Sequence, residues 1–310
     1  MKSFTELQKY HEPVLVSEVC DILQINKLAP LKHADIIDAT LGFGGHSVKF
    51  LEAGFRVLGI DASRETIKIT EGILKQACPI SERNFGDYKL VHGNFRDIAE
   101  IAEREGFSNV YAILYDLGLS SYQLKDFQQG FAFSNPQADL DMRIDKEIQA
   151  VRASDLLNVL DKKKLIEVLS ATLNYNESNN LALKIIERRQ SEPFKKVCDL
   201  LSVIGSKRKI GKKIHPATKV FLALRIAVNS EYENLNESLI KAFDLLKVGG
   251  RLVVISFHSG EDRIVKNIFK ARCFDDKAKL LTKKPIIPTL NEVSENPRAR
   301  SAKLRVIEKI

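Results

Sequence analysis

ADIIDATLGFGGHSVKFLEAGFRVLGIDAS, residues 34 to 63, decides the fold. A short apolar run is followed by three glycines within four positions, Gly42, Gly44 and Gly45. A helical stretch comes next, and a second apolar run ends on an acid, Asp61. Strand, glycine loop, helix and strand in that order open a nucleotide-binding α/β unit. The glycines permit a tight turn and let backbone amides approach a ligand with no Cβ in the way, while the helix behind them offers its positive end. Asp61 stands where an acid accepts hydrogen bonds from ribose hydroxyls. In the purely structural alternative the glycines only make the turn, and Asp61 caps the helix that begins in SRETI.

Two chemistries use such a unit most often, hydride transfer from a dinucleotide and methyl transfer from S-adenosylmethionine. A dinucleotide fingerprint reads G-x-G-x-x-G. Here the third glycine position holds Ser47 and an acid, Asp38, precedes the loop, so the match to NAD is poor. Farther on, LKVGGRLVVISF has the pattern of a late methyltransferase strand entered from a helix.

Outward from this stretch, apolar runs recur at 56–61, 88–92 and 110–116, separated by helical segments. Such runs suit parallel strands covered on both faces. The fold class expected is α/β, a doubly wound, mostly parallel Rossmann-like sheet, preceded by a short helix near Val14 to Ile25; the resemblance set out below makes it the class I methyltransferase kind. Between Leu117 and His215 the alternation stops. ASDLLNVL, KKKLIEVLSATL and ESNNLALKIIERRQ read as helices, and a structureless loop of that length is improbable. This predicts an all-helical insert over 126–215, with 1–125 and 216–310 forming the sheet domain. From Ala217 one long helix is expected, its apolar stripe running Phe221, Leu224, Val228, Tyr232, Leu235, Leu239, Phe243 and Leu246. It is expected to stop at a glycine cap, Gly249-Gly250, before the strand RLVVISF. AKLRVIE reads as the closing strand.

The chain has 310 residues, 44% of them apolar, and a formal net charge of +8. That is enough to fill a sizeable core, and the positive balance leans toward a polyanionic partner. Cys20, Cys78, Cys198 and Cys273 lie far apart, with neither metal-ligand nor redox spacing, so no metal site is expected. With no secretory leader and no run of about 20 apolar residues, a soluble cytoplasmic protein that does not enter membranes is expected.

Longer blocks carry a specific resemblance. HEPVLVSEV at 11–19, DATLGFGGHS at 38–47, DLGLSSYQL at 116–124, GFAF at 130–133, LDMRID at 140–145, HPATKVFLALRIAVN at 215–229, ISFHSGEDRIVK at 255–266 and NPRARSAKLRV at 296–306 together resemble the bacterial ribosomal RNA small subunit methyltransferase H family, also called MraW. The resemblance implies an S-adenosylmethionine-dependent enzyme with an inserted helical domain for substrate recognition. The reaction it implies is methylation of the exocyclic N4 amine of a cytidine in the decoding region of 16S ribosomal RNA. It places cofactor contacts on Gly44, Gly45, His46, Asp61, Phe95, Asp116 and Gln123, and makes 16S rRNA or the small ribosomal subunit the partner. The chain departs from the family pattern in three places: Asp139 where proline is usual, Gly260 where leucine is usual, and YNES at 175–178 in place of YGEE.

Many amino-methylating enzymes carry an acid or amide after the fourth strand, where this chain has Asp116. The resemblance gives Asp116 to the cofactor, so no catalytic base is assigned. Asp141, Arg143 and His258 are candidates for contact with the target nucleotide. Their structural alternatives are a salt bridge for the first two and a strand-end hydrogen bond for the third. Phe127, Phe131 and Phe133 are available either to stack on an extruded base or simply to pack. The lysine-rich stretches 194–216 and 277–285 suit phosphate contacts, or a solvated face. Rival readings are a small-molecule methyltransferase with a helical lid, a non-catalytic ribosome-associated binding protein and, more distantly, a nicotinamide oxidoreductase.

Overall fold

A computed structural model describes residues 12–25, 34–78, 86–118, 129–205 and 215–310. The chain forms two compact units, one comprising 1–120 and 232–310, the other 121–231.

The first unit is built on seven strands: β1 (Asp35–Asp38), β2 (Arg56–Asp61), β3 (Tyr88–His92), β4 (Val110–Asp116), β5 (Leu246–Ser256), β6 (Ala278–Leu280) and β7 (Lys303–Lys309). They lie in the order β3-β2-β1-β4-β5-β7-β6. The first five are parallel, whereas β7 runs antiparallel to both β5 and β6. The strands expected from apolar runs are all present; β1, β2 and β4, apolar on both faces, lie inside the parallel sheet where such a run loses least to water, while the more polar β3 forms its edge. β4 is buried from Val110 to Tyr115. A dinucleotide-binding sheet has the order 3-2-1-4-5-6; insertion of an antiparallel β7 beside β5 makes this the class I methyltransferase arrangement instead. The helices of this unit are α1 (Val16–Ile22), α2 (Gly45–Glu52), α3 (Arg64–Ala77) and α4 (Ile98–Glu105), followed after the second unit by α10 (Glu231–Leu245), α11 (Ser259–Phe274) and α12 (Leu290–Glu295).

The second unit contains α5 (Ala153–Val159), α6 (Lys162–Leu169), α7 (Tyr175–Ser191), α8 (Val197–Ile204) and α9 (Pro216–Val228). Among its described residues it has no named strand, only an isolated antiparallel bridge between Asp139 and Lys196. α9 packs on α5, α6 and α8. It therefore belongs with this unit, and the sheet does not resume at 216 as the sequence suggested.

Two further expectations are corrected. The long helix from Ala217 is broken: α9 ends at Val228, α10 begins at Glu231, and Ser230 between them takes φ 49°. The break frees the side chain of Asn229 to serve the loop that holds LDMRID. Its Nδ2 donates to the carbonyl of Met142 at 2.9 Å, and its Oδ1 accepts from the Ile144 amide at 3.0 Å. The glycine pair 249–250 is likewise no helix cap, since α10 has already ended at Leu245. It forms an irregularity within β5, where the register to β4 shifts between Val110 and Ala112. A Cβ on Gly250 would lie 2.8 Å from the Lys247 carbonyl, so the chain can fold back there only without a side chain.

Candidate active site at the carboxyl end of the sheet

β1 pairs with β2 on one side and β4 on the other, so the strand order reverses between β1 and β4. In an open α/β sheet the crevice beyond the carboxyl ends at such a reversal is where ligands bind. Three of these strands end in acids: Asp38 on β1, Asp61 on β2 and Asp116 on β4.

Asp38 is buried and organises the glycine loop. It accepts from Ser47 Oγ at 2.7 Å and from the Thr40 amide at 3.4 Å. Burial pushes its pKa up, and the bond from Ser47 acts in the opposite direction. Ser47 fills the position where a dinucleotide loop would have its third glycine, so the mismatch noted in the sequence is a tie from α2 back to β1. Thr40 Oγ1 accepts from the Asp116 amide at 2.6 Å, binding the loop to the end of β4. From α3, Thr70 donates to the Gly42 carbonyl at 2.6 Å. Thr40, Ser47 and Thr70 position the loop; the sequence showed Ser47 only as a missing third glycine, and Thr40 and Thr70 not at all. The signal for Thr40 and Ser47 was a small hydroxyl residue on either side of the glycines, whereas Thr70 lies 28 residues from Gly42 and had none.

Gly44 is the N-terminal flanking residue of α2 and sits at φ 79°, a left-handed conformation that favours glycine. Gly45 is needed for a different reason. A Cβ there would lie 2.7 Å from Pro13 Cγ, so the segment before α1 rests directly on the loop. That segment is fixed from the far end of the chain: Glu292 accepts from the Leu15 amide at 2.7 Å, and Asn296 Nδ2 donates to the Glu12 carbonyl at 3.2 Å. No local sequence pattern announces this contact.

Asp61 Oδ2 accepts from the Gly42 amide at 2.9 Å, and Oδ1 accepts from the Ser63 amide at 2.8 Å. Ser63, rather than Asp61, caps α3, its side chain accepting from the Thr66 amide. Burial raises the Asp61 pKa to about 6, against the lowering pull of those two amides. His46, in the first turn of α2, is 5% exposed, and its Nε2 lies 3.5 Å from Asp116 Oδ2. Both ring nitrogens of His46, Asp116 Oδ1 and Thr66 Oγ1 are buried without a hydrogen-bond partner. A buried polar atom left in that state costs about 1–3 kcal/mol, a penalty that a polar ligand relieves. Three acids around one crevice also suit a cationic ligand better than a pyrophosphate. Phe95 follows β3 and meets Tyr115 edge-on at 5.7 Å. The hydroxyl of Ser238 donates to the Phe95 carbonyl at 2.7 Å and is itself bonded to the Tyr115 hydroxyl.

Of the expected site residues, Gly44, Gly45, His46, Asp61, Phe95 and Asp116 come from the loop and strand ends of this one unit. Gln123 and Phe127 lie outside the described residues, as does 206–214 of the first lysine-rich stretch. His258 caps α11 reciprocally with Glu261: its Nδ1 accepts from the Glu261 amide, and its Nε2 lies 3.1 Å from Glu261 Oε1. Asp141 and Arg143, in the second unit, hold each other in a two-point ion pair with bonds of 2.7 and 3.0 Å. The ion pair lowers the Asp141 pKa against the rise from burial. Phe133 stacks on His215 at 4.9 Å and meets Phe221 edge-on, and Phe131 is buried. Both phenylalanines are packing residues in this structure.

The chain is 38% identical to the ribosomal RNA small subunit methyltransferase H of Methylacidiphilum infernorum, over 99% of this chain and 96% of the relative. To the protein of that name from Dictyoglomus thermophilum it is 39% identical, over 98% of each. Among solved structures, an rRNA methylase from Streptococcus thermophilus aligns with a TM-score of 0.41 at 12% identity, covering 93% of this chain and 95% of the other. Residues 8–310 match a single family model, and the chain belongs to the MraW methylase family.

Proposed function

We propose that the protein transfers a methyl group from S-adenosylmethionine to the exocyclic N4 amine of a cytidine in the decoding region of 16S ribosomal RNA. Its cofactor is S-adenosylmethionine, as for a methylase family. The relatives that match along nearly the whole chain carry the coarser reaction, methylation of small-subunit ribosomal RNA, in their names. The observation that carries the reading is the pair of residues with unmet polar atoms, His46 and Asp116, beside the glycine loop where the strand order reverses.

These residues fit the cofactor. When bound, it supplies a methyl group already activated on a sulfonium. Gly44 and Gly45 offer bare backbone to it, and Asp116 Oδ1 and the His46 ring offer atoms with no hydrogen-bond partner among the described residues. Each oxygen of Asp61 accepts one amide, and a carboxylate has about four lone-pair sites, so capacity remains for ribose hydroxyls. Phe95 supplies an apolar ring, with Gln123 assigned to the cofactor by resemblance. The work left to the protein is alignment of donor and acceptor for in-line displacement. Asp141, Arg143 and His258 are assigned to the target nucleotide. Asp141 and Arg143 are locked to each other and would act as a fixed surface, whereas His258, held through Nδ1, keeps a buried Nε2 with no hydrogen-bond partner among the described residues. The helical unit is assigned to substrate recognition.

The test is to incubate the protein with labelled methyl donor and either naked 16S RNA or small subunits from a strain lacking the activity, then map the modified nucleotide. N4-methylcytidine in the decoding region is expected. Label on a ring carbon or a ribose oxygen overturns the assignment.

A further inference from the structure

Most arginines in the described residues are committed within the fold. Arg56, Arg143, Arg225, Arg251 and Arg305 each bind a carboxylate at 2.6–2.8 Å. Arg263, Arg298 and Arg300 do not: the three residues are exposed, Arg298 being partly crowded by neighbouring atoms, and their guanidinium groups take part in no hydrogen bond, ion pair or ring contact. These three sit at one end of the first unit. α11 begins just beyond the carboxyl end of β5, and Arg263 lies in its first turns. Arg298 and Arg300 belong to the 3₁₀ turn Pro297–Ser301, which feeds β7 where Lys303 pairs with Ser256, the last residue of β5. Asp262, beside Arg263, joins the two segments by binding both Lys303 and Arg305, so this acid is already neutralised. The carboxyl end of the parallel strands is also where Asp38, Asp61 and Asp116 stand.

The turn is built firmly. Asn296 caps it by accepting from the Arg298 amide at 3.3 Å, and the same side chain holds the Glu12 carbonyl next to Pro13, which rests on Gly45. A short series of contacts therefore links the glycine loop to the unpaired arginines. Crowding by neighbouring protein atoms pulls the Arg298 pKa down, with no acid among the causes to offset it. Guanidinium groups left without carboxylates on a fixed backbone suit phosphate, whose oxygens accept the planar fork in pairs.

We propose that Arg263, Arg298 and Arg300 form a phosphate-binding rim at the carboxyl end of the sheet, which takes the sugar–phosphate backbone of the RNA whose base is methylated. The proposal rests on the RNA-methyltransferase reading above. The rim fixes register and orientation and carries no sequence information.

The test compares the full-length protein with the R263A/R298A/R300A variant, the corresponding triple lysine variant, and Arg104→Ala as a control for loss of one positive charge on α4. Small subunits lacking the modification serve as the probe. Calorimetry with S-adenosylmethionine and the melting temperature check the fold, and RNA affinity is measured across a salt series. The triple alanine variant is expected to keep its cofactor affinity and melting temperature. Its kcat/KM on subunits should fall by about tenfold or more, and its log Kd against log salt should be shallower by about two. Lysines should restore most of that slope, and Arg104→Ala should leave it unchanged. A wild-type salt slope in the triple alanine variant overturns the rim, as does a loss of cofactor binding or stability, which would mark the arginines as structural. If the wild-type protein binds cofactor but neither binds nor methylates RNA, the underlying function fails, and the rim fails with it.

Discussion

Asp61 ends β2 with each carboxylate oxygen holding a backbone amide, and burial pushes its pKa up to about 6. Because this lies above the ordinary carboxylate value, protonation favours the free folded protein. That stability is full below about pH 4 and is lost as pH rises through 6. A ribose donating to Asp61 needs the ionised form, so cofactor binding releases a proton at acid pH. S-adenosylmethionine affinity should rise by up to about tenfold per pH unit toward 6 and then level off, as calorimetry in buffers of different ionisation enthalpy would show. Asp61→Asn should abolish the dependence and weaken binding by about 10- to 100-fold. Gly45→Ala tests the neighbouring contact. Its Cβ would press on Pro13, at a cost of about 1–3 kcal/mol, and thermal melting should show a loss of stability alongside weaker cofactor binding. The glycines and Asp61 were legible in the sequence because special backbone and a strand-end acid recur with a fixed meaning. Pro13 was not, since its role depends on residues 292 and 296 at the other end of the chain.

At the scale of elements, the break between α9 and α10 shows where periodicity misleads. The apolar stripe keeps its phase through Val228 to Leu235, yet Phe221 and Leu224 fill the core of one unit while Leu235, Leu239 and Phe243 fill that of the other. Asn229 is what the break provides, binding Met142, Ile144 and Gln149. Asn229→Ala leaves buried backbone groups unmet and should destabilise the protein by about 2–4 kcal/mol in denaturant titration. The start of α11 makes a second case. A Cβ on Gly260 would overlap Tyr232 Oη, so the tyrosine occupies the space a side chain would need. Gly260→Ala should cost about 1–3 kcal/mol, and pairing it with Tyr232→Ala should return part of that loss in a double-mutant cycle. A full cost in the double variant would show that the strain lies elsewhere.

Across the whole molecule, a net charge of +8 and the proposed arginine rim should make RNA methylation sensitive to salt, while cofactor binding at the largely buried strand-end acids should be far less so. Raising salt from about 50 to 200 mM should therefore lower kcat/KM on RNA steeply with little change in S-adenosylmethionine affinity. The order of elements, the covered strands, the glycine loop and the family followed from the sequence by itself, because apolar period, glycine spacing and ordered motif blocks are properties of contiguous residues. Tertiary structure alone decided that Ser47 reaches back to Asp38, that β7 runs antiparallel between β5 and β6, and that α9 packs with the helical unit. It alone left the His46 ring and Asp116 Oδ1 buried with no hydrogen-bond partner among the described residues. Each of these depends on which distant segments meet, and a local pattern encodes what a segment can bury without naming the segment it is buried against.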